Sequence, residues 1–228
     1  MTAPVFWWRD DDAGRDAPAL ARLLELAEAR RCPVALAVVP AWLEPAATRR
    51  ILGCPFATVL QHGIAHENHS AEGEKRRELG GKADRSRLVD AMVDGRGRLA
   101  DRFGPQFLPV MVPPWNRIDA DVAERLPDAG FVGLSCFGGP RQAAAMVRLD
   151  THLDAVAWRD GRRPRPWAVL QERLETGSRE GPWPFGLLTH HLVVDAAGWG
   201  TLDRALGYGQ TVADARWAGA HELFEGST

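Results

Sequence analysis

Cysteine is scarce in this chain. Its three thiols, Cys32, Cys54 and Cys136, are spread over 228 residues, odd in number and without a CxxC pair. That argues against a disulfide framework and against a cysteine zinc site, and fits reduced thiols in a cytoplasmic setting. Also lacking is any apolar run near the ~20 residues that a membrane-spanning helix needs. The formal net charge is only -2 and the pI about 6.4, so no global basic field draws the chain onto nucleic acid or an anionic membrane. The local basic runs Lys75-Arg76-Arg77 and Arg162-Arg163 have no interleaved aromatics and read as solvated faces. The opening Met-Thr-Ala-Pro-Val-Phe-Trp-Trp-Arg-Asp has no basic segment, long apolar stretch or small-residue cleavage site. A cytoplasmic location without a secretion signal is therefore expected. Internal repeats and low-complexity tracts are absent too.

What is present is a chain that is 45% hydrophobic, enough for one sizeable core at a length where an α/β barrel stays a single domain. One domain over residues 1–228 is expected. Short apolar runs near 4–9, 33–39, 56–61, 107–112, 131–136 and 185–189 read as strands, with helical segments between them. Leu20, Leu23, Leu24 and Ala27 follow an Asp16 cap and Pro18 at helical spacing. A second helix is expected over 84–103, weakened by Gly95 and Gly97, and a third from an Asp119 cap to a Gly130 stop. Residues 61–83 and 159–167 read as irregular segments. Such βα units build an open doubly wound sheet or a barrel, and both put functional groups at the carboxyl ends of strands.

Polar residues gather at those ends. Asp10, Asp11 and Asp12 follow the apolar Val5–Trp8 and Arg9. Three adjacent ionised carboxylates repel one another unless a cation or an arginine compensates; the bland alternative is a loop with an Asp cap. Gln61-His62-Gly63-Ile64-Ala65-His66-Glu67-Asn68-His69 follows the next-but-one strand. Two imidazoles four apart, joined by one carboxylate, make the three-ligand, open-position site of a hydrolytic zinc enzyme. His66 and His69 enclose two residues rather than the three of HExxH, so that pairing fails. His69 is open to a reading as a further ligand, and reads rather as a polar residue beside the ligands or of the loop. Pro113-Pro114-Trp115-Asn116-Arg117 offers a rigid turn with a flat apolar ring that can wall a pocket. His190 and His191 end the last strand, and alternation lets one of them face the site, suited to protonating a leaving amine.

Taken in order, these segments resemble the NodB-type polysaccharide deacetylases, the family-4 carbohydrate esterases. The resemblance runs roughly from Val5 to Leu192 and rests on short motifs. It implies a distorted (β/α) barrel of about seven parallel strands. It also implies that Asp11 is the catalytic base and Asp12 a metal ligand, with Asp10-Asp11 as the alternative register and Asp10 beside the site. His62 and His66 match the family's two-histidine motif most specifically and would be the other metal ligands. His190 matches the general acid of the closing Leu-x-x-His motif, with His191 as the fallback. Pro114 and Trp115 match the third motif, but Val112 stands where the family has an arginine steadying the base; Arg9 and Arg117 are the candidates to replace it. Asp154 and Trp158 are the nearest counterparts of the Asp and Trp pair that orients the acid. The implied cofactor is a divalent metal, Zn²⁺ first, with Co²⁺ or Fe²⁺ as alternatives. The implied activity is hydrolytic removal of N-acetyl or O-acetyl groups from a carbohydrate or amino sugar. Two alternatives stand beside it. One is an allantoinase-like hydrolase of a small amide; the other is a catalytically silent carbohydrate-binding module.

Overall fold

In the computed structural model, which describes residues 3–138, 146–181, 184–212 and 214–226, the longest strand is β1 (Val5–Ala13). It lies mid-sheet because it is apolar on both faces, the mark of a strand covered on two sides. Beside it in sequence run β2 (Val34–Val38), β3 (Ala57–His62) and β4 (Phe107–Val112). Short strands β5 (Gly133–Leu134), β6 (Val147–Arg148) and β7 (Leu153–Asp154) continue the chain. An antiparallel ribbon of β8 (Val156–Ala157) and β9 (Arg163–Pro164) follows, then β10 (Phe185–Thr189) and β11 (Arg216–Trp217). The main sheet has the order β6-β5-β4-β3-β2-β1-β10-β7, with β11 also on β1, and all its pairings are parallel. It curls into a half-barrel, the distorted barrel of the NodB type. Its nine strands exceed the expected seven because several marginal strands are only two residues long.

Helices α1 (Pro18–Arg30), α2 (Pro45–Gly53), α3 (Arg85–Phe103), α4 (Ala120–Ala123), α5 (Trp167–Glu180), α6 (Ala196–Thr211) and α7 (Ala220–Glu225) complete the fold. Alternation along β1 divides the core. Phe6 and Trp8 join the layer built with Leu20 and Leu24 of α1, Leu174 of α5 and Leu202 of α6. Trp7 points the other way, into a cluster with Leu60, Val110, Val112 and Phe224 of α7. Fully burying such side chains contributes about 1.5–3 kcal/mol each, so the strand's register is fixed strongly: a one-residue slip would exchange its faces.

The expected strands are present, the one near 131–136 only over Gly133–Leu134, as are the helices over 18–27 and 84–103, and several details differ. Asp16 does not cap α1; the cap position is Ala17, and Asp16 pairs with Arg50. The helix expected from Asp119 to Gly130 is regular only over Ala120–Ala123, and Asp119 instead receives Arg77, Arg85 and the Gly81 N–H. Gly95 sits inside α3 because a Cβ there would come within 2.7 Å of Gln61 Nε2, a close approach that outweighs its helix penalty of about 1 kcal/mol. Among the described residues no helix is long and apolar enough to cross a membrane.

Candidate metal and acid-base site

Successive side chains of a strand point to opposite faces, so three adjacent aspartates cannot share one site on regular β1. The strand departs from regularity where it matters: its register against β2 shifts between Asp10 and Ala13, and Asp12 has a φ of 70°. A bulge of this kind re-aims a side chain. Asp12 thereby joins the face of Asp11, and Asp10 keeps the opposite one.

Asp12 Oδ1 lies 3.3 Å from Nε2 of both His62 and His66, and no other group of His, Cys, Asp or Glu among the described residues gathers in this way. His62 ends β3, buried, with Nδ1 2.9 Å from the Val112 carbonyl. That carbonyl can only accept, so Nδ1 carries the hydrogen and Nε2 turns its lone pair towards Asp12. Asp12 Oδ1 is itself buried without a hydrogen-bond donor. Burial disfavours the ionised Asp12, but the neighbouring imidazoles, His62 foremost, outweigh it and hold its pKa well below the usual carboxylate range. Burial likewise opposes charge on His62, where Asp12 and Asp11 prevail and raise its pKa; at His66 burial prevails and lowers it.

Asp11, buried beside this group, is clasped by Arg9 two residues earlier on the same face. Arg9 Nε and Nη2 donate to its two oxygens at 2.9 and 3.0 Å. The guanidinium, fully buried, also donates to Ser135 Oγ, the Cys136 carbonyl and Asn116 Oδ1. Arg117 does not reach Asp11; it donates to the Arg76 carbonyl. Val112 is valine because its side chain fills the cluster with Trp7.

Across from Asp11, His190 Nε2 stands 4.0 Å from Asp11 Oδ2. The edge of Trp158 meets its ring at 4.7 Å, and Trp158 Nε1 donates to Asp154 Oδ2 at 2.7 Å. Burial raises the Asp154 pKa, against the opposing charge of His190 and hydrogen bonds from Val156 N–H and Trp158. His191 faces the other way, with Asp10. The Asp10 carboxylate accepts from His191 Nδ1 at 2.5 Å, from His191 N at 3.0 Å and from Thr189 Oγ1 at 2.6 Å. Asp10 and His191 therefore tie β1 to the end of β10 behind the site.

Of the remaining expected residues, Trp115 touches the His66 ring at 4.4 Å, Pro114 is buried against Gly63, and Asn116 braces Arg9. His69 is not with Asp12, His62 and His66; its Nδ1 meets the Glu78 carbonyl at 2.7 Å within the loop. Two residues escaped the sequence reading. Trp42 lies 5.4 Å from the His66 ring, with the Arg15 guanidinium over the Trp42 ring at 4.2 Å; its place after β2, behind Pro40, was the available signal. Glu78 is the other. Asp12, His66, Trp115 and Asn116 are four of the seven non-glycine residues with positive φ among those described, so backbone strain concentrates at this site.

No protein-family model matches the chain, and no curated protein sequence does. Solved structures match its fold. A family-4 carbohydrate esterase pseudoenzyme from Bacillus anthracis superposes with a TM-score of 0.69 at 13% identity, covering 98% of this chain and 66% of that one. A peptidoglycan N-acetylglucosamine deacetylase has a TM-score of 0.66 at 14% identity, covering 98% and 89%. A family-4 acetyl xylan esterase from Clostridium thermocellum, in complex with a cobalt ion, gives 0.64 at 14% identity, covering 97% and 90%. At these identities the likeness is one of fold, and the fold is that of the proteins whose motifs the sequence resembles.

Proposed function

We propose that the chain, acting as a single catalytic domain, is a metal-dependent hydrolase that removes an acetyl group from a carbohydrate, an N-acetylated amino sugar foremost. Because the shared fold also houses a pseudoenzyme, the reading rests on the residues of this chain. The observation that carries it is the buried, donorless Asp12 Oδ1 at 3.3 Å from two imidazole nitrogens. Acceptors converging without a proton between them fit a cation. Asp12, His62 and His66 would hold it, and two imidazoles with one carboxylate suit Zn²⁺, with Co²⁺ or Fe²⁺ as alternatives. When bound, such an ion supplies Lewis acidity towards the acyl oxygen and acidifies a water.

The remaining work falls to the chain. Asp11, aimed by the bidentate Arg9, takes a proton from the attacking water. His190, on the other side of Asp11, delivers a proton to the departing nitrogen, so that an amine leaves rather than an amide anion. Trp158 fixes the His190 ring, and Trp42 and Trp115 wall His66 with surfaces suited to a sugar face.

The test is metal content together with acetate release from acetylated amino sugars, for wild type and His62→Ala. Bound divalent ion and activity in the wild type, both lost in the variant, are expected. Equal activity in the two proteins sinks the mechanism, and a wild type with neither ion nor activity favours a silent binding module.

A further inference from the structure

His66 is carried not by a strand but by the turn 63–67, which opens the long segment between β3 and α3. Backbone N–H groups in such a turn need acceptors, and three of them find the same one. Glu78 Oε2 accepts from Ile64 N at 2.9 Å, and Oε1 accepts from Ala65 N at 2.8 Å and Glu67 N at 3.0 Å. The Glu78 residue is 1% exposed. Burying a carboxylate is costly unless its oxygens are satisfied; among the described residues no side-chain cation pairs with it, so the amides of the turn are its compensation. The fit is tight from both sides. Gly63 has a φ of 57°, and a Cβ there would collide with Glu78 Oε2 and come within 2.6 Å of Pro114 Cδ. Two bonds lock the far end: His69 Nδ1 to the Glu78 carbonyl at 2.7 Å, and His69 N to the Arg77 carbonyl at 2.8 Å. Within this cage His66 adopts a φ of 62°, a conformation a free loop would abandon.

We propose that Glu78 is a positioning residue of the metal centre, holding the 63–67 turn so that His66 meets Asp12 and His62, and thereby setting the affinity and coordination geometry of the ion. The inference rests on the metal-site reading above. It assigns to a residue twelve positions from His66 a role of the kind that outer partners of metal ligands play, whose loss typically costs 10–100-fold in affinity. Glu78→Gln keeps the size and one acceptor, but turns an amide NH₂ towards backbone N–H groups that need an acceptor.

The experiment compares wild type, Glu78→Gln and, on the exposed part of the same segment, Glu74→Gln. The readouts are Zn²⁺ affinity by chelator competition, the visible spectrum of the Co²⁺ form, and the melting temperature of the metal-free proteins. For Glu78→Gln we expect affinity lower by about tenfold to a hundredfold and an altered Co²⁺ spectrum, with a folded metal-free state; Glu74→Gln should match wild type. Zn²⁺ affinity within about twofold of wild type and an unchanged Co²⁺ spectrum in Glu78→Gln overturn the proposal. If that variant does not fold, amide exchange on the wild type decides: fast exchange at Ile64, Ala65 and Glu67 in both metal-free and Zn²⁺ forms overturns it. A wild type that binds neither ion overturns the metal-site reading first and this inference with it, whereas normal wild-type binding with indifferent variants overturns this inference alone.

Discussion

On the β1 and β10 side of the site, Asp11 and His190 inherit their directions from strand alternation, and the buried Asp10 needs only to hold His191 and Thr189 to keep the two strands in register. On the opposite side His66 hangs from an irregular turn, and its direction depends on Glu78, far off in sequence. Both sides use a buried carboxylate that accepts three hydrogen bonds. One reinforces geometry that the sheet already dictates; the other creates geometry that nothing else dictates. A site of this design should respond differently when each side is damaged.

The largest expected effect comes from the proposed metal ligands that the two sides share. His62→Ala, or treatment of the wild type with a strong chelator, should cost more than the roughly 100-fold that marks the upper end for outer partners, and Zn²⁺ should restore the chelated wild type but not the variant. Acetate release read before and after Zn²⁺ addition checks this. Next come the two histidines of β10. His190→Ala should lower kcat by about 10²–10⁴-fold, the range for loss of a general acid, with little change in stability. His191→Ala, which strips the buried Asp10 of its imidazole and leaves that charge under-compensated, should act mainly on unfolding. A His191 variant with the larger kcat loss would reverse the assignment.

These contrasts also explain what was legible. The three aspartates, His62-x-x-x-His66 and the two terminal histidines were readable because each is a local run at the end of an apolar strand. Which aspartate joins the two histidines was not, since the answer lies in a bulge and a positive φ at Asp12, and regular alternation would have put Asp10 and Asp12 on the same side. Glu78 stands in an ordinary Arg-Arg-Glu-Leu run, and its partners lie 11 to 14 residues away. Helices α2, α5, α6 and α7 went unread. In α5 the apolar pattern is interrupted at Gly177, where a Cβ would meet the Phe185 ring at 2.7 Å, so close packing removed the side chain that would have marked the face.

Arg9 sharpens the comparison within the strand side. Its two hydrogen bonds hold Asp11 from two residues away on the same face, the part we propose it takes where the family resemblance would put an arginine at position 112. Arg9→Met leaves a buried carboxylate unpaired, a change that typically costs about 3–5 kcal/mol. Denaturant melts should record the loss and activity should fall with it. Arg117→Met, removing a side chain bonded only to the Arg76 carbonyl in this region, should leave both close to wild type. If Arg117→Met is the damaging one, the base is steadied from the loop side and the division between the halves fails.

The smallest effect is expected where the strand side meets solvent. Trp158 is 42% exposed, with its ring edge on His190 and its Nε1 donating to Asp154. Trp158→Phe keeps an aromatic edge and deletes only the donor, a loss of about 0.5–1.5 kcal/mol for a typical hydrogen bond, which is tenfold or less in kcat. The pH profile is more diagnostic. Burial already raises the Asp154 pKa and the Trp158 hydrogen bond is one of the contacts opposing it. A hydrogen bond to the charged form lowers a carboxylate's pKa, so deleting it raises that pKa further, and Asp154 loses its charge at a higher pH on acidification. Where the reaction needs the charge of Asp154, the acidic limb of kcat against pH moves upward in Trp158→Phe. An acidic limb that stays in place would mean that Trp158 holds the His190 ring by packing alone and that the reaction does not depend on the charge of Asp154.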